Sequence, residues 1–142
     1  MQIDEQTPTV LLVEDSEDDA FFFRRTLEKS EVTCSFLHVA NGQEAVNFLQ
    51  NASNGENQKL PRTIFLDLKM PVLNGFEVLE WMRTQTFALP VEVVVLSGSE
   101  RDDDKERASQ LGATDYLVKP VKVGDLHRVL QHVCPPKMGA HV

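Results

Sequence analysis

Several short apolar runs in this chain each end on a residue able to do chemistry. Thr9-Val10-Leu11-Leu12-Val13 runs into Glu14-Asp15, and Ile64-Phe65-Leu66 runs into Asp67. Val91 to Leu96 ends at Ser97, and Thr114 to Val118 ends at Lys119. Short apolar runs bounded by turn-forming segments read as strands buried on both faces, the pattern of a parallel sheet. A carboxylate at the tip of such a strand is costly unless something compensates it. In an open parallel α/β sheet the carboxyl ends of the strands share one edge, and ligands bind there. Four separate segments therefore converge on one site, with Asp67 at its centre.

Helical patterns fill the intervals. Ser16 is a good N-cap, and Glu17, Asp18 and Asp19 suit the first turn of a helix whose dipole favours negative charge there. Asp18 and Asp19 read as helix-start residues for that reason. The first helix runs to about Lys29, with Ala20, Phe22, Phe23, Thr26 and Leu27 expected on one inward stripe. Consecutive helical residues lie about 100° apart, so Phe21 points away from that stripe and is expected to be exposed, on a partner-docking surface. Thr33 to Val39 is mixed in polarity, as an edge strand is.

Asn41-Gly42 opens a second helix with Ala45, Val46 and Leu49 inward, and residues 51–60 read as a long polar surface loop. A third helix spans Phe76 to Arg83. Arg101 to Leu111 is a charged helix closed by Gly112, with Asp102, Asp103 and Asp104 as its solvated start. Leu126, Val129, Leu130 and Val133 carry a last helix, stopped by Pro135-Pro136. Five strands alternating with five helices predict a doubly wound parallel sheet. Residues 1–8 read as a loose lead-in, 9–134 as one domain and 135–142 as a short tail.

Composition bounds the function. The chain has 142 residues, enough for one domain with a full core. Its formal net charge of −8 argues against direct nucleic-acid binding, which needs clustered Lys and Arg. No stretch approaches the roughly 20 apolar residues of a membrane span, and the acidic start lacks signal-peptide features, so a cytoplasmic location is expected. Cys34 and Cys134 are far apart and read as two reduced structural thiols. The histidines His38, His127, His132 and His141 show no metal-ligand spacing, and read as solvated or packing residues.

Glu14, Asp15 and Asp67 at one edge, with Lys119, leave an excess of negative charge that a divalent cation would neutralise. Mg²⁺ suits oxygen-only ligands and commonly joins one or two carboxylates to phosphate oxygens. An aspartate carboxylate can itself attack phosphorus to form an acyl phosphate. Phosphoryl transfer is mostly positioning and charge neutralisation, so the metal, Lys119 and the Ser97 hydroxyl would each meet one phosphoryl oxygen. Each residue has a plainer reading alone, as a helix cap, a turn former or a solvated cation. The set at these strand ends is far more specific.

The chain resembles a response-regulator receiver domain of the chemotaxis-regulator type. The resemblance rests on Val13-Glu14-Asp15, on Leu66-Asp67-Leu68-Lys69-Met70-Pro71 with Gly75, and on Leu96-Ser97-Gly98. It rests also on Gly112-Ala113-x-Asp115-Tyr116-Leu117-x-Lys119-Pro120. It implies the flavodoxin-like strand order 2-1-3-4-5, with Asp67 as phosphoacceptor and Glu14 and Asp15 as the acidic metal pocket. It implies Lys69 as a backbone-carbonyl ligand to Mg²⁺, Ser97 and Tyr116 as switch residues, and Lys119 before a cis peptide bond to Pro120.

The implied phosphodonor is a histidine kinase, a phytochrome among the candidates, or a histidine phosphotransfer protein. It docks on a surface that includes the first helix. The implied output is a phosphorylation-dependent change in a downstream partner or in homodimerisation, through the face of the fourth helix, fifth strand and fifth helix. The Glu-Asp-Ser-Glu-Asp opening, the 51–60 loop and the absence of an output domain resemble small stand-alone regulators, including phytochrome-associated ones. Many receivers carry a non-basic residue at the position of Lys69, whose side chain therefore bears on the lifetime of the phosphorylated state.

Two other readings are open to these residues. A Mg²⁺-dependent aspartate-nucleophile phosphatase of the haloacid-dehalogenase type normally needs a second acid two residues after the nucleophile, where this chain has Lys69. A receiver-like scaffold that is never phosphorylated would not need all five site residues. The expectation is a phosphoacceptor that promotes its own phosphorylation and dephosphorylation, and not an enzyme acting on an external substrate.

Overall fold

The computed structural model describes residues 7–54, 60–98 and 101–137. The strands are β1 (Thr9–Val13), β2 (Ser35–Val39), β3 (Thr63–Asp67), β4 (Glu92–Ser97) and β5 (Asp115–Val118). They alternate with α1 (Glu17–Lys29), α2 (Gly42–Ser53), α3 (Gly75–Arg83), α4 (Asp102–Gln110) and α5 (Val123–Leu130). All four strand pairings are parallel, in the order β2-β1-β3-β4-β5, so the expected doubly wound sheet is the one observed. The register sets Val13 beside Leu66 and Asp67 beside Leu96, which brings the strand ends level.

Period-2 alternation splits the core into two layers. One face of the sheet carries Val10, Leu12, Phe65, Val94, Leu96 and Leu117, packed on α1 and α5. The other carries Leu11, Val13, Ile64, Leu66, Val93 and Val95, packed on α2, α3 and α4. Residues of β1 and β3 are buried throughout because helices cover both faces. β2 is the edge strand its mixed polarity predicted, with Leu37 and His38 exposed.

The structure corrects several local expectations. Phe22 is not on the inward stripe: it is 64% exposed, and α1 buries Ala20, Phe23 and Leu27 instead. Those three sit at i, i+3 and i+7, a narrower face than the five expected positions suggested, because the sheet beneath α1 takes the Phe23 ring in place of Phe22. Phe23 fills that place against Phe65, with ring centroids 4.9 Å apart. Phe21 is exposed, as expected.

α2 continues through Ser53, so the first residues assigned to the 51–60 loop are helical, and 55–59 lie outside the described residues. α5 ends at Leu130, and Val133 belongs to a following turn in which its amide donates to the Leu130 carbonyl. Of the lead-in, residues 1–6 lie outside the described residues, while the Pro8 carbonyl already accepts from the Ser35 amide. Of the tail, 138–142 lie outside the described residues, but Pro136 is not loose: it bridges Val32 in antiparallel fashion.

Candidate phosphoryl-acceptor site

β1 and β3 deliver Glu14, Asp15 and Asp67 to one edge of the sheet. One carboxylate oxygen from each lies within 4.8 Å of the others, and this is the acidic group among the described residues with the geometry to hold a metal ion. Glu14 and Asp67 are buried and Asp15 is exposed. Two bonds fix the end of β1. The Glu14 amide donates to the Val39 carbonyl at 3.1 Å, and His38 Nε2 lies 2.8 Å from the Glu14 carbonyl oxygen. His38, read from sequence as a solvated or packing residue, thus braces the acidic pair from the neighbouring strand.

Lys119 reaches the same edge from the end of β5. Its Nζ lies 2.7 Å from Glu14 Oε1, 3.0 Å from Asp19 Oδ2 and 3.4 Å from Asp67 Oδ2. Asp19 is therefore more than a helix-start residue. Its amide donates to the Ser16 hydroxyl as helix-start chemistry requires, while its carboxylate joins the site. The signal for it was position: Asp19 lies in the first turn of α1, which begins just past the end of β1.

Burial pushes the Glu14 carboxyl up to about 7, helped by the charge of Asp67 and opposed by its hydrogen bond from Lys119. Burial alone would lower the Lys119 ammonium, but the Glu14 hydrogen bond and the Asp67 charge outweigh it and hold Lys119 above its ordinary value. Desolvation is thus the chief cost of ionising Glu14, and the Asp67 charge adds to it. The three acids offer only hard oxygen donors, a set that suits Mg²⁺, Ca²⁺ or Mn²⁺.

The remaining expected residues surround this group. Asp67 Oδ1 accepts from the Lys69 amide at 3.2 Å, so the loop after β3 wraps the acceptor. That loop turns through Val72, exposed and at φ 69°, a conformation a β-branched residue rarely adopts. It closes where the Gly75 amide donates to the Leu68 carbonyl at 3.1 Å, and an Asn74–Glu77 capping box starts α3. Ser97 is buried at the end of β4, and its carbonyl accepts from the Lys119 amide at 2.8 Å. Tyr116 is half-buried on the α4 side, with Lys105 Nζ 5.8 Å from its ring centre. The Lys119–Pro120 peptide is cis. A cavity of about 420 Å³ opens beside the site, lined by Glu14, Asp19 and Lys119 on one side and by Phe22, Phe23 and Val121 on the other.

A parallel five-stranded sheet with paired acids, an aspartate, a hydroxyl and a lysine at its carboxyl edge defines the receiver class of signalling domain. The family model "Response regulator receiver domain" matches residues 10–131, and the chain belongs to that family. Its members are phosphorylated on an aspartate in two-component signalling.

Among particular relatives, Response regulator Rcp1 of Synechocystis sp. is 33% identical over 132 residues, covering 92% of this chain and 90% of that protein. Its Mn(2+)-bound crystal structure aligns with a TM-score of 0.71 at 32% identity, over 89% of this chain and 91% of that one. The bacteriophytochrome response regulator RtBRR aligns with a TM-score of 0.76 at 31% identity, over 87% of this chain and 76% of that one. The phosphorylated cyanobacterial phytochrome response regulator RcpA aligns with a TM-score of 0.73 at 28% identity, over 89% and 91%. No helix among the described residues is long and apolar enough to cross a membrane.

Proposed function

We propose that Asp67 accepts a phosphoryl group from a histidine kinase or histidine phosphotransfer protein, with Mg²⁺ as cofactor. The observation that carries this reading is the buried Asp67 carboxylate set among Glu14, Asp15 and Lys119 at one strand edge. An Asp67 oxygen attacks phosphorus, the phosphorus–nitrogen bond of the donor phosphohistidine breaks, and the imidazole nitrogen leaves with the electron pair. Glu14, Asp15, Asp67 and the Lys69 carbonyl would hold the metal, which when bound supplies positive charge against phosphoryl oxygens.

Lys119 serves a second phosphoryl oxygen by releasing part of its hold on Glu14 and Asp19. Ser97 serves a third, moving toward the phosphoryl group with Tyr116 following inward, and the face of α4, β5 and α5 carries the change to a downstream partner or a second copy. The exposed Phe21 belongs to the donor-docking surface on α1. Similarity to phytochrome-associated regulators supports a phytochrome kinase as donor. The chain is a phosphoacceptor that promotes its own phosphorylation and dephosphorylation, acting within the cytoplasm.

The test is intact mass after exposure to acetyl phosphate with Mg²⁺. A single phosphoryl increment on the wild type, absent without the metal and absent from Asp67→Asn, is the expected result. A folded wild type that gains no increment would falsify the acceptor role.

A further inference from the structure

Cys34 and Cys134 are distant in sequence, yet the segments carrying them run side by side. Val32 and Pro136 form an antiparallel bridge. On either side of it the Thr33 amide donates to the Pro135 carbonyl at 2.7 Å and the Lys137 amide to the Glu31 carbonyl at 2.8 Å. Thr33/Pro135 and Glu31/Lys137 therefore occupy hydrogen-bonded positions, and Val32/Pro136 a non-hydrogen-bonded one. Extended two residues further, the same register would set Cys34 against Cys134, where the turn after α5 ends with the Cys134 amide donating to the Leu130 carbonyl. In a regular antiparallel pair, such positions bring Cα atoms to about 4.5 Å and side chains closest. That spacing lies within the roughly 4.4–6.8 Å a disulfide bridges. Both side chains pack into the α1–α5 layer of the core, near enough for hydrogen bonding from the Cys134 thiol to be the chief influence on Cys34. Both thiols are free.

The pair is unequal. Cys134 is buried, whereas Cys34 is half-buried and lines an open cavity of about 410 Å³ together with Arg24 and Lys137. The bond from Cys134 draws the Cys34 thiol below its ordinary value, against the effect of burial. The same bond, with burial, drives Cys134 upward. Cys34 is thus the accessible nucleophile, in a cavity that Arg24, Lys137 and Glu28 also line.

We propose that Cys34 and Cys134 form a reversible intramolecular disulfide by exchange with a low-molecular-weight disulfide of the glutathione type. Cys34 releases its proton to solvent, its thiolate attacks one sulfur of that disulfide, the sulfur–sulfur bond breaks, and one small thiolate leaves with the electron pair and takes a proton from solvent. Capping Cys34 removes the partner that holds the Cys134 thiol above its ordinary value. Cys134 then releases its proton to solvent, attacks the Cys34 sulfur and expels the second small thiolate, which is protonated in turn. Two protein thiols are oxidised and one small disulfide is reduced to two thiols. The bond fastens the entry of β2 to the segment after α5 and closes a loop of about 100 residues, so the oxidised form melts at a higher temperature. Reversible bonds of this kind suit a reducing compartment that becomes transiently oxidising.

The fully reduced chain is incubated with oxidised glutathione in mildly alkaline buffer, alkylated, and read by intact mass and non-reducing peptide mapping. The expected product is a monomer lighter by two hydrogens, with no alkylatable thiol and a linked Cys34–Cys134 peptide, all reversed by dithiothreitol. Cys134→Ser is expected to stop at one glutathione on Cys34, and folded Cys34→Ser to take up none. A wild type that keeps both thiols, halts at the mixed disulfide, or links two chains through Cys34 overturns the proposal. The wild-type result is decisive by itself, whether or not either variant folds.

Discussion

Lys119 holds Glu14 more closely than it holds Asp67: its Nζ is 2.7 Å from the Glu14 carboxylate and 3.4 Å from that of Asp67. The ammonium at this edge is thus anchored on a residue other than the proposed acceptor, with Asp19 as a further partner. Phosphorylation of Asp67 would shift that balance, because new negative charge on Asp67 competes for the same ammonium.

Glu14 makes stability fall with rising pH. Its carboxyl is raised from an ordinary 4.5 to about 7, so across that interval the folded chain holds a proton the unfolded chain has released. The stabilisation is fully present below the ordinary value and lost as pH climbs through the raised one, by about 1–3 kcal/mol in the absence of metal. Glu14→Gln should flatten the slope between those limits in denaturant titrations. Mg²⁺ binds the deprotonated form, so its thermal stabilisation of the wild type should be large near neutrality and small near pH 5. A wild-type slope identical to that of Glu14→Gln would sink this account.

Asp67→Asn should raise metal-free stability near neutral pH by about 1 kcal/mol while abolishing phosphorylation. The Asp67 charge is one of the causes that push Glu14 up, and both carboxylates are buried. Removing one charge therefore relieves the other. Thermal melts of both forms without divalent ions check the sign, and a less stable variant contradicts it.

Gly75 tolerates no side chain. A Cβ there would lie 2.6 Å from the Asp67 carbonyl oxygen and 2.8 Å from the Leu68 Cα, both backbone atoms that cannot swing aside. Gly75→Ala should cost about 1–3 kcal/mol and displace the end of β3, lowering acetyl phosphate labelling as well. Unchanged labelling together with unchanged stability would show that this approach is looser than the geometry implies.

Phe21 and Phe22 are 55% and 64% exposed, so replacing either by alanine should change stability by less than about 0.5 kcal/mol. Labelling by acetyl phosphate should stay the same, because the groups set around Asp67 are Lys119, the Lys69 amide and the acidic pair. Transfer from a phosphorylated histidine kinase should slow, since α1 loses apolar docking surface. Equal transfer rates for wild type and both variants would assign docking to another face.

The alternation of elements and the acidic edge were legible in the sequence because each rests on local pattern, whereas the strand order came only from the resemblance to receiver domains. An apolar run such as Ile64-Phe65-Leu66 reports burial on both faces, and the residue that ends it reports what the edge presents. The shared edge follows from parallel topology, so Glu14, Asp15, Asp67, Ser97 and Lys119 could be gathered without coordinates. Other features depended on where packed elements settle. Asp19 meets Lys119, a hundred residues away, only because the fold brings the first turn of α1 within reach of the lysine that ends β5. Phe22 faces out because Phe23 takes the place over Phe65. Cys34 meets Cys134 because the chain after α5 folds back along the entry to β2. Periodicity records which face of an element is apolar. Only packing decides which of two adjacent rings the sheet accepts and which distant segments touch.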